Sequence, residues 1–222
     1  MPRVWETMPP MPSLAGADDD SFDVMRGEWA AVSPGGGWES AFERLTDEWR
    51  QVEWRSGGKT LMAALSRQYD EVALCRGLAW LLDPDGGHQM GRHPLHALLR
   101  DLDLPVVEDA PVEIAVEEAH TDTRADVVLR VGGQTVIIEA KVFAGEQPRQ
   151  ADRLSQQWAG TSTTLVFLTR TGYLPYTARD SEGLWVTRAW RDVAALMRRV
   201  ADQAGLHPSA GAREYIETIG AL

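Results

Sequence analysis

Two carboxylates and a lysine stand close together in one apolar part of the chain. Asp126 begins one run of Val, Leu and Arg residues, and Glu139 and Lys141 end the next run, which starts at Gln134. Carboxylate oxygens are the ligands that Mg²⁺ and Mn²⁺ prefer, and a lysine can orient water or stabilise charge that develops on a phosphate. These residue types therefore suit metal-assisted hydrolysis of a phosphate ester.

A β-hairpin would hold the two carboxylates side by side. Gly132-Gly133 suits a two-residue type I′ turn, which needs positive φ at both positions. With that turn, Asp126 lies directly opposite Glu139, with Cβ atoms roughly 4.5–5.5 Å apart. Lys141 lies two residues beyond Glu139 and emerges on the same face. The repulsion between the carboxylates must then be offset by solvent, a shifted pKa or a bound cation.

An ordinary surface hairpin with scattered charges is the alternative, because an Asp followed later by Glu-x-Lys is a common pattern. The Val-Ile-Ile run over 136–138 favours the chemical interpretation. A strand this apolar is typical of a buried position. A glutamate and a lysine at its end are therefore expected to have a function.

The hairpin stretch resembles the core motif of the PD-(D/E)xK nuclease superfamily. Asp126 matches the Asp of the motif, and Glu139-Ala140-Lys141 match its E-x-K. Ala125 stands where the motif has Pro, a departure that is common in this diverse superfamily.

This resemblance extends to both sides of the motif, from about Tyr69 to Trp190, and is closest to small bacterial proteins of the superfamily. It implies an α/β fold with a restriction-endonuclease-like αβββαβ core, in which a central mixed sheet is flanked by helices. Extra N- and C-terminal helices are expected around that core. The resemblance also implies a nuclease that depends on Mg²⁺ or Mn²⁺.

The resemblance further implies a set of site residues. The catalytic residues are Asp126, Glu139, Lys141 and Gln150, and the metal ligands are Asp126, Glu139, the Ala140 carbonyl and Glu71. Glu71 matches an acidic group that the superfamily often carries on the helix before the first core strand; a solvated glutamate is the alternative. Gln150, with Gln147 second, matches a glutamine that often lies beside the lysine; a polar helix face is the alternative.

Hydrophobic spacing predicts the elements that position these residues. The predicted helices cover 60–82, 94–103, a stretch beginning near Pro148, 191–204 and a last segment around Tyr215. The predicted strands cover 106–118, the two arms of the hairpin, 163–169 and 184–187. The middle of the chain thus has the order helix, three strands, helix, strand, which the resemblance also implies.

The N-terminal part is predicted to be separate. Residues 1–37 carry clustered prolines, an Asp-Asp-Asp run and a Gly-Gly-Gly run, and they lack apolar periodicity. A tryptophan-rich helix is predicted from Trp38 to Trp54. We expect a mobile or loosely packed arm over 1–37 and one nuclease-like domain over 38–222.

Composition limits the classes of protein and of site. The 222-residue chain has one cysteine, which excludes an intrachain disulfide and a Cys-rich zinc site. The clustered histidines His88, His93 and His96 are expected to be structural or substrate-facing. No apolar run reaches the length of a membrane span, so a cytoplasmic location is expected. The net charge of −11 counts against tight unaided binding of duplex DNA, because phosphate neutralisation dominates such affinity.

The expected function is a Mg²⁺-dependent nuclease that acts on nucleic acid, with DNA as the first expectation and phage defence or DNA processing as the setting. A catalytically silent subunit of the same fold, serving in binding or regulation, is one alternative. A hydrolase of another phosphate ester is a second. A homodimer or a partner protein is left open, and no membrane partner is expected.

Overall fold

A computed structural model of the chain describes residues 60–158 and 160–222. The helices are α1 (Leu61–Ala64), α2 (Glu71–Leu82), α3 (His93–Asp101), α4 (Gln150–Trp158), α5 (Trp190–Gln203) and α6 (Ala210–Gly220). The strands are β1 (Val112–His120), β2 (Thr123–Val131), β3 (Gln134–Ala140), β4 (Thr163–Thr169) and β5 (Trp185–Ala189). The predicted arm over 1–37, the predicted helix from Trp38 to Trp54 and the boundary between them lie outside the described residues.

The strands form one mixed open sheet in the order β1-β2-β3-β4-β5. β1, β2 and β3 are antiparallel neighbours, whereas β4 and β5 continue the sheet parallel to β3. An α/β chain with the order helix, three strands, helix, strand is therefore confirmed. The α4 crossover makes the parallel β3–β4 pairing possible, because parallel neighbours cannot be joined by a tight turn.

The turn between β2 and β3 has the predicted geometry. Gly132 and Gly133 have φ of 57° and 80°, the left-handed region that a type I′ turn requires and that glycine adopts without strain. The predicted register is also confirmed, because Val131 pairs with Gln134 and the ladder continues from there. The ladder ends one pair before Asp126 and Glu139 would meet.

Helices cover both faces of the sheet. Leu129 and Ile138 pack with α2, α3, α5 and α6 in the larger core. Ile137 packs on the opposite face with Leu154 of α4. Strand β3 is apolar nearly throughout because it is buried on both faces. Glu139 lies two residues beyond Ile137 and therefore faces α4.

The pairing of β1 with β2 is interrupted beside the predicted site. The ladder skips one residue of each strand, Glu117 and Asp126. Glu117 has φ of 56°, a left-handed conformation that costs a residue with a Cβ about 1–2 kcal/mol. Its carboxylate oxygens lie 3.2 Å from guanidinium nitrogens of Arg76 and of Arg124. Asp126 consequently lies at an irregular position of β2.

The prediction of one long helix over 60–82 is wrong. The chain instead forms the single turn of α1, passes through Ser66 at φ 55° and starts a new helix at Glu71. The side chain of Asp70 accepts a hydrogen bond from the N–H of Ala73 at 3.0 Å, which caps the new helix. The predicted apolar residue Leu65 is 64% exposed. Glu71 is therefore the first residue of α2, at its N-terminus.

Other boundaries shift by a few residues. The strand over 163–169 is confirmed, and β5 begins at Trp185 after a 3₁₀ turn, Glu182–Leu184. The predicted strand from 106 begins only at Val112, and the helix predicted near Pro148 begins at Gln150. Across residues 60–158 and 160–222, no helix is long and apolar enough to cross a bilayer.

Candidate functional site

Four elements meet where β3 ends, and they bring the predicted site residues together. Asp126 lies in β2, Glu139 is the penultimate residue of β3, and Lys141 follows that strand. Glu71 begins α2 and Gln150 begins α4. The site is therefore built from two adjacent strands and from the first turns of two helices.

Glu139 is almost fully buried, with 1% of its surface exposed. Its Oε1 accepts hydrogen bonds from Lys141 Nζ at 2.5 Å and from Gln150 Nε2 at 2.6 Å. Its Oε2 is also buried and has no hydrogen-bond partner among the described residues. Burial raises the pKa of Glu139 to about 8, and the carboxylate of Asp126 adds to the rise. Since a buried oxygen without a partner is costly, Oε2 is available to a proton or a cation.

Lys141 is buried against these acids, with 7% of its surface exposed. Besides Glu139, its Nζ contacts the Ala140 carbonyl oxygen at 3.1 Å and lies 3.8 Å from Oε2 of Glu71. Burial alone would lower the pKa of Lys141, but the neighbouring carboxylates, Glu139 first, raise it above its ordinary value. Lys141 therefore keeps its positive charge at neutral pH and offsets part of the local negative charge.

Asp126 is held by the backbone of the neighbouring strand. Its Oδ2 accepts a hydrogen bond from the N–H of Ala140 at 2.8 Å. Burial raises the pKa of Asp126, while the Ala140 N–H and the Lys141 ammonium oppose that rise. Asp126 thus lies beside the Glu139–Lys141 segment, as the hairpin register predicts. The Ala140 carbonyl, a predicted metal ligand, accepts a hydrogen bond from Lys141 in this arrangement.

Glu71 fixes the segment that leaves β3. Its Oε1 accepts hydrogen bonds from the N–H groups of Val142 and Ala144, each at 3.1 Å. Its other oxygen points toward Lys141, 3.8 Å away. The alternative of a freely solvated helix glutamate is therefore wrong. Glu71 joins the cluster, but one of its two oxygens is committed to the backbone.

Gln150 takes the position predicted for it, beside the lysine and its partner glutamate. Gln147, the second candidate, contributes its backbone N–H, which donates to Gln150 Oε1 at 3.0 Å. That contact and the bond to Glu139 use both ends of the Gln150 amide, so its orientation is fixed.

His88 and His96 are buried, and their contacts are with groups outside the carboxylate cluster. His88 bonds to the backbone through both ring nitrogens, to Asp83 O at 2.8 Å and to Met90 N at 3.1 Å. His96 lies 3.5 Å from a carboxylate oxygen of Glu108. Burial lowers the pKa of His96. These contacts agree with a structural role for both residues.

The carboxylate oxygens at this site are the kind of ligand that a hard divalent cation binds. Among residues 60–158 and 160–222, no group of three or more His, Cys, Asp or Glu side chains is arranged to hold a metal ion. Oε1 of Glu139 is occupied by Lys141 Nζ and Gln150 Nε2. Its Oε2 and the carboxylate of Asp126 are nevertheless the oxygen ligands that Mg²⁺ and Mn²⁺ take. Oε2 is the Glu139 oxygen open to a cation, because Lys141 and Gln150 hold Oε1.

Glu139 is expected to make the free energy of unfolding of the metal-free chain depend on pH. The unfolded residue titrates near 4.5 and the folded one at about 8, so the folded chain holds one more proton in this window. Stability therefore falls as pH rises through the window, by up to about 1.4 kcal/mol per pH unit, and levels off above it. Denaturant unfolding in EDTA at several pH values measures this slope.

Glu139→Gln is the comparison, because glutamine keeps the shape of the side chain and does not ionise. Its free energy of unfolding should not decline between pH 4.5 and about 8, as that of the wild type does. Glu113→Gln changes a carboxylate that is 71% exposed and should keep the wild-type slope. Equal slopes for all three proteins would mean that Glu139 titrates in the ordinary range.

One acidic residue near the site was missed by the sequence analysis. Glu146 accepts hydrogen bonds from the N–H groups of Tyr176 and Thr177, at 3.1 and 3.0 Å. These bonds fix the loop after β4 to the segment after β3. The sequence gives no signal for them, because the partners are about thirty residues apart.

Comparison with known proteins finds no match: no protein-family model, no curated protein and no solved structure matches the chain. A functional assignment therefore rests on the residues of the site and their geometry.

Proposed function

We propose that the chain is a Mg²⁺- or Mn²⁺-dependent nuclease of the PD-(D/E)xK type, which hydrolyses phosphodiester bonds of nucleic acid. DNA is the proposed substrate, and phage defence or DNA processing is the proposed setting. One observation carries the proposal: buried Glu139 keeps an oxygen without a partner among the described residues, next to Asp126 and Lys141. A cation site at Glu139 needs an oxygen that no protein group occupies, and Oε2 meets that need.

The order of elements supports a restriction-endonuclease-like core. Helix α2 precedes three antiparallel strands, and α4 then crosses to a strand parallel to β3. Asp126 and Glu139 come from the two strands of the hairpin, β2 and β3, and Lys141 follows β3 directly. This is the order of elements and residues that the motif resemblance implies.

In the proposed reaction the side chains bind, orient and supply charge. Asp126, Glu139 and the Ala140 carbonyl would hold the cation, which supplies charge that polarises the phosphate and lowers the pKa of a water. Lys141, held beside Glu139, positions water or stabilises negative charge on the phosphate. Gln150 keeps Glu139 oriented, because its amide donates to the carboxylate oxygen that Lys141 also contacts. Glu71 keeps the segment after Lys141 in place.

Calorimetric titration of Mg²⁺ and Mn²⁺ into the wild type tests this proposal, together with a nuclease assay on the same samples. We expect binding that releases about one proton per site at pH 7, because Glu139 must ionise to act as a ligand. Titration in buffers of different ionisation enthalpy counts the protons. Glu139→Gln should lose both binding and cleavage, whereas Glu113→Gln should keep both.

Cleavage by Glu139→Gln at the wild-type rate would overturn the site assignment. Metal binding without cleavage of single-stranded or duplex DNA or RNA would mean that a partner or a special substrate is needed. Absence of both in the wild type would favour the second candidate function.

The second candidate is a catalytically silent subunit of the same fold, which serves in binding or regulation within a larger complex. The observation in its favour is that Lys141 contacts Glu139 at 2.5 Å and offsets part of the local negative charge without a metal ion. A net charge of −11 also disfavours unaided binding to a polyanion. This candidate predicts a stable chain that does not respond to Mg²⁺ or Mn²⁺.

A further inference from the structure

Exposed aromatic side chains gather at the rim of the site. Within residues 60–158 and 160–222, four Phe, Tyr or Trp side chains are more than 40% exposed. They are Tyr69, Phe143, Tyr173 and Tyr176, with exposures of 53, 60, 43 and 62%. All four lie on segments that border the carboxylate cluster, and together they are called the aromatic rim below. Aromatic rings are normally buried, so their concentration at this one place indicates a binding surface.

Tyr69 and Phe143 contact each other and lie on the segments that carry Glu71 and Lys141. Tyr69 precedes Glu71 by two residues, and Phe143 follows Lys141 by two residues. Their ring centroids lie 4.9 Å apart in an edge-to-face arrangement. Glu71 accepts hydrogen bonds from the two backbone N–H groups that flank Phe143. The same carboxylate therefore ties this pair of rings to the proposed catalytic residues.

The other two rings come from the loop after β4. The ring of Tyr173 packs 5.7 Å from that of Phe167, and Phe167 is the β4 residue paired with Glu139. The hydroxyl of Tyr176 accepts a hydrogen bond from the N–H of Glu146 at 2.7 Å. The Glu146 carboxylate binds the backbone of the same loop in return. The rim is thus held in place before any ligand arrives.

A positive charge accompanies the exposed rings. The guanidinium carbon of Arg170 lies 4.5 Å from the centroid of the Phe143 ring. Its Nε donates to the carbonyl oxygen of Leu222 at 3.1 Å, which fixes the side chain. Phe143 nevertheless stays 60% exposed. A ring with a fixed cation at its face offers a base a surface to stack on and offers the adjoining phosphate a counter-charge.

We propose that the aromatic rim is a stacking platform for unpaired nucleobases, so that the substrate is single-stranded nucleic acid or a single-stranded segment of a duplex. This inference rests on the proposed nuclease function and names its substrate class. Stacking also explains how an acidic chain could bind a polyanion. A chain of net charge −11 gains little from neutralising phosphates, whereas base–aromatic stacking does not depend on net charge. Paired bases in a duplex do not expose the faces that such rings need.

Fluorescence anisotropy with the full chain in EDTA tests the platform without cleavage. The probes are a labelled oligothymidylate of about 12 nucleotides, an abasic strand of equal length and a blunt duplex. The abasic strand carries the same phosphates and no bases, so it separates stacking from charge. We expect the oligothymidylate to bind about tenfold or more tightly than either of the others.

Two substitutions of Phe143 test whether its aromatic ring causes the preference for the base-bearing strand. Phe143→Leu keeps an apolar side chain but removes the aromatic face, and it should abolish most of the preference for the base-bearing strand. Phe143→Trp restores an aromatic face and should retain the preference. Val107→Ala is the matched control, because Val107 is 49% exposed and lies against the hairpin turn at Gly132, the opposite end of the hairpin from the site.

Several outcomes would overturn the platform. Equal affinity for the abasic strand, tighter binding of the duplex, or wild-type affinity in Phe143→Leu each exclude stacking at this rim. Absence of binding to every strand, with self-association in sedimentation that Phe143→Leu abolishes, would assign the rim to a protein contact instead.

These experiments distinguish a wrong assignment of the aromatic rim from a wrong assignment of nuclease activity. A chain that cleaves DNA with Mg²⁺ but shows no preference for bases over the abasic strand contradicts only the platform. A chain that prefers the base-bearing strand but never cleaves with Mg²⁺ or Mn²⁺ contradicts only the nuclease.

Discussion

Lys141→Met is expected to slow cleavage about a hundred- to a thousandfold while the fold survives. Methionine has a similar length and fills the same buried space, but it supplies no positive charge to water or phosphate. The Nζ of Lys141 is confined between Glu139, the Ala140 carbonyl and Glu71, so its position is set before any substrate binds. Single-turnover cleavage at saturating Mg²⁺, with single-stranded and duplex substrates, measures the loss.

The stability of Lys141→Met should depend on pH in a particular direction. Removing one partner of a buried ion pair is usually costly, because the other charge is left unpaired. Glu139 avoids most of that cost by binding a proton, since its pKa is already about 8 beside the ammonium. Without the ammonium that pKa rises further. The stability deficit of the variant should therefore be small near pH 6 and grow as pH rises above about 8.

The chain offers unusual controls for this experiment. Its 22 basic side chains include only two lysines, Lys59 and Lys141, and the others are arginines. Lys59→Met removes the charge of the other lysine and should cleave normally. Lys141→Arg keeps the charge but not the compact ammonium, and it should be impaired. Full activity of Lys141→Met would remove Lys141 from the mechanism.

The scarcity of lysine also gives a direct spectroscopic test of the ion pair. Resonances of the side-chain amino groups can be assigned by comparison with Lys59→Arg, because the chain has only these two lysines. The pKa of Lys141 should lie above its ordinary value in the metal-free chain. A shift of its resonance when Mg²⁺ is added would report a cation bound beside the Lys141–Glu139 contact.

The hairpin and its charged end could be predicted because their determinants are local. Gly132 and Gly133 fix the turn, the turn fixes the register, and the register brings Asp126 to the Glu139–Lys141 segment. No partner distant in sequence is needed for that inference. The alternation of strand faces then directs Glu139 toward α4, where Gln150 meets it.

The start of α2 could not be predicted by the same means. Apolar spacing runs through 60–82 without a clear interruption, yet the helix restarts at Glu71. Its position depends on contacts distant in sequence, such as the bonds from Glu71 to the backbone after β3. Asp70 as a capping residue was the available local signal, since an aspartate directly before a glutamate and an apolar run is typical of a helix start.

The burial of Glu139 and the interruption of the β1–β2 ladder could not be predicted from the local sequence either. The hairpin register places two carboxylates close together but does not say that Glu139 loses almost all contact with water. Nor does it show that the β1–β2 ladder skips Glu117 and Asp126. Both features depend on packing between distant segments, and both determine how the carboxylates titrate.

Asp126→Asn is expected to abolish detectable cleavage, a loss of about a thousandfold or more, because the proposed metal site loses one of its two strand-borne carboxylates. The fold should be unharmed. The asparagine side-chain oxygen can still accept the hydrogen bond that Asp126 takes from the Ala140 N–H. Metal titration and single-turnover cleavage on the same preparation measure the two losses together.

The same substitution should stabilise the metal-free chain at alkaline pH. Burial raises the pKa of Asp126, and the charge of Asp126 in turn raises that of Glu139, so each ionised carboxylate disfavours the other. Asparagine removes one of these charges. The free energy of unfolding should exceed that of the wild type near pH 8, and the difference should shrink toward pH 5 as the wild-type acids bind protons.

A gain in stability with a loss of function is the signature of a residue retained for chemistry, because the wild-type side chain lowers the stability of the fold that carries it. Asp109→Asn is the matched control: it changes an exposed aspartate, and neither activity nor stability should move. If Asp126→Asn destabilises the metal-free chain and leaves cleavage intact, Asp126 is a structural acid that anchors β3, and the cation site must be sought elsewhere. If stability rises and cleavage is lost, the strain between the two carboxylates is resolved by the cation that the proposed reaction requires.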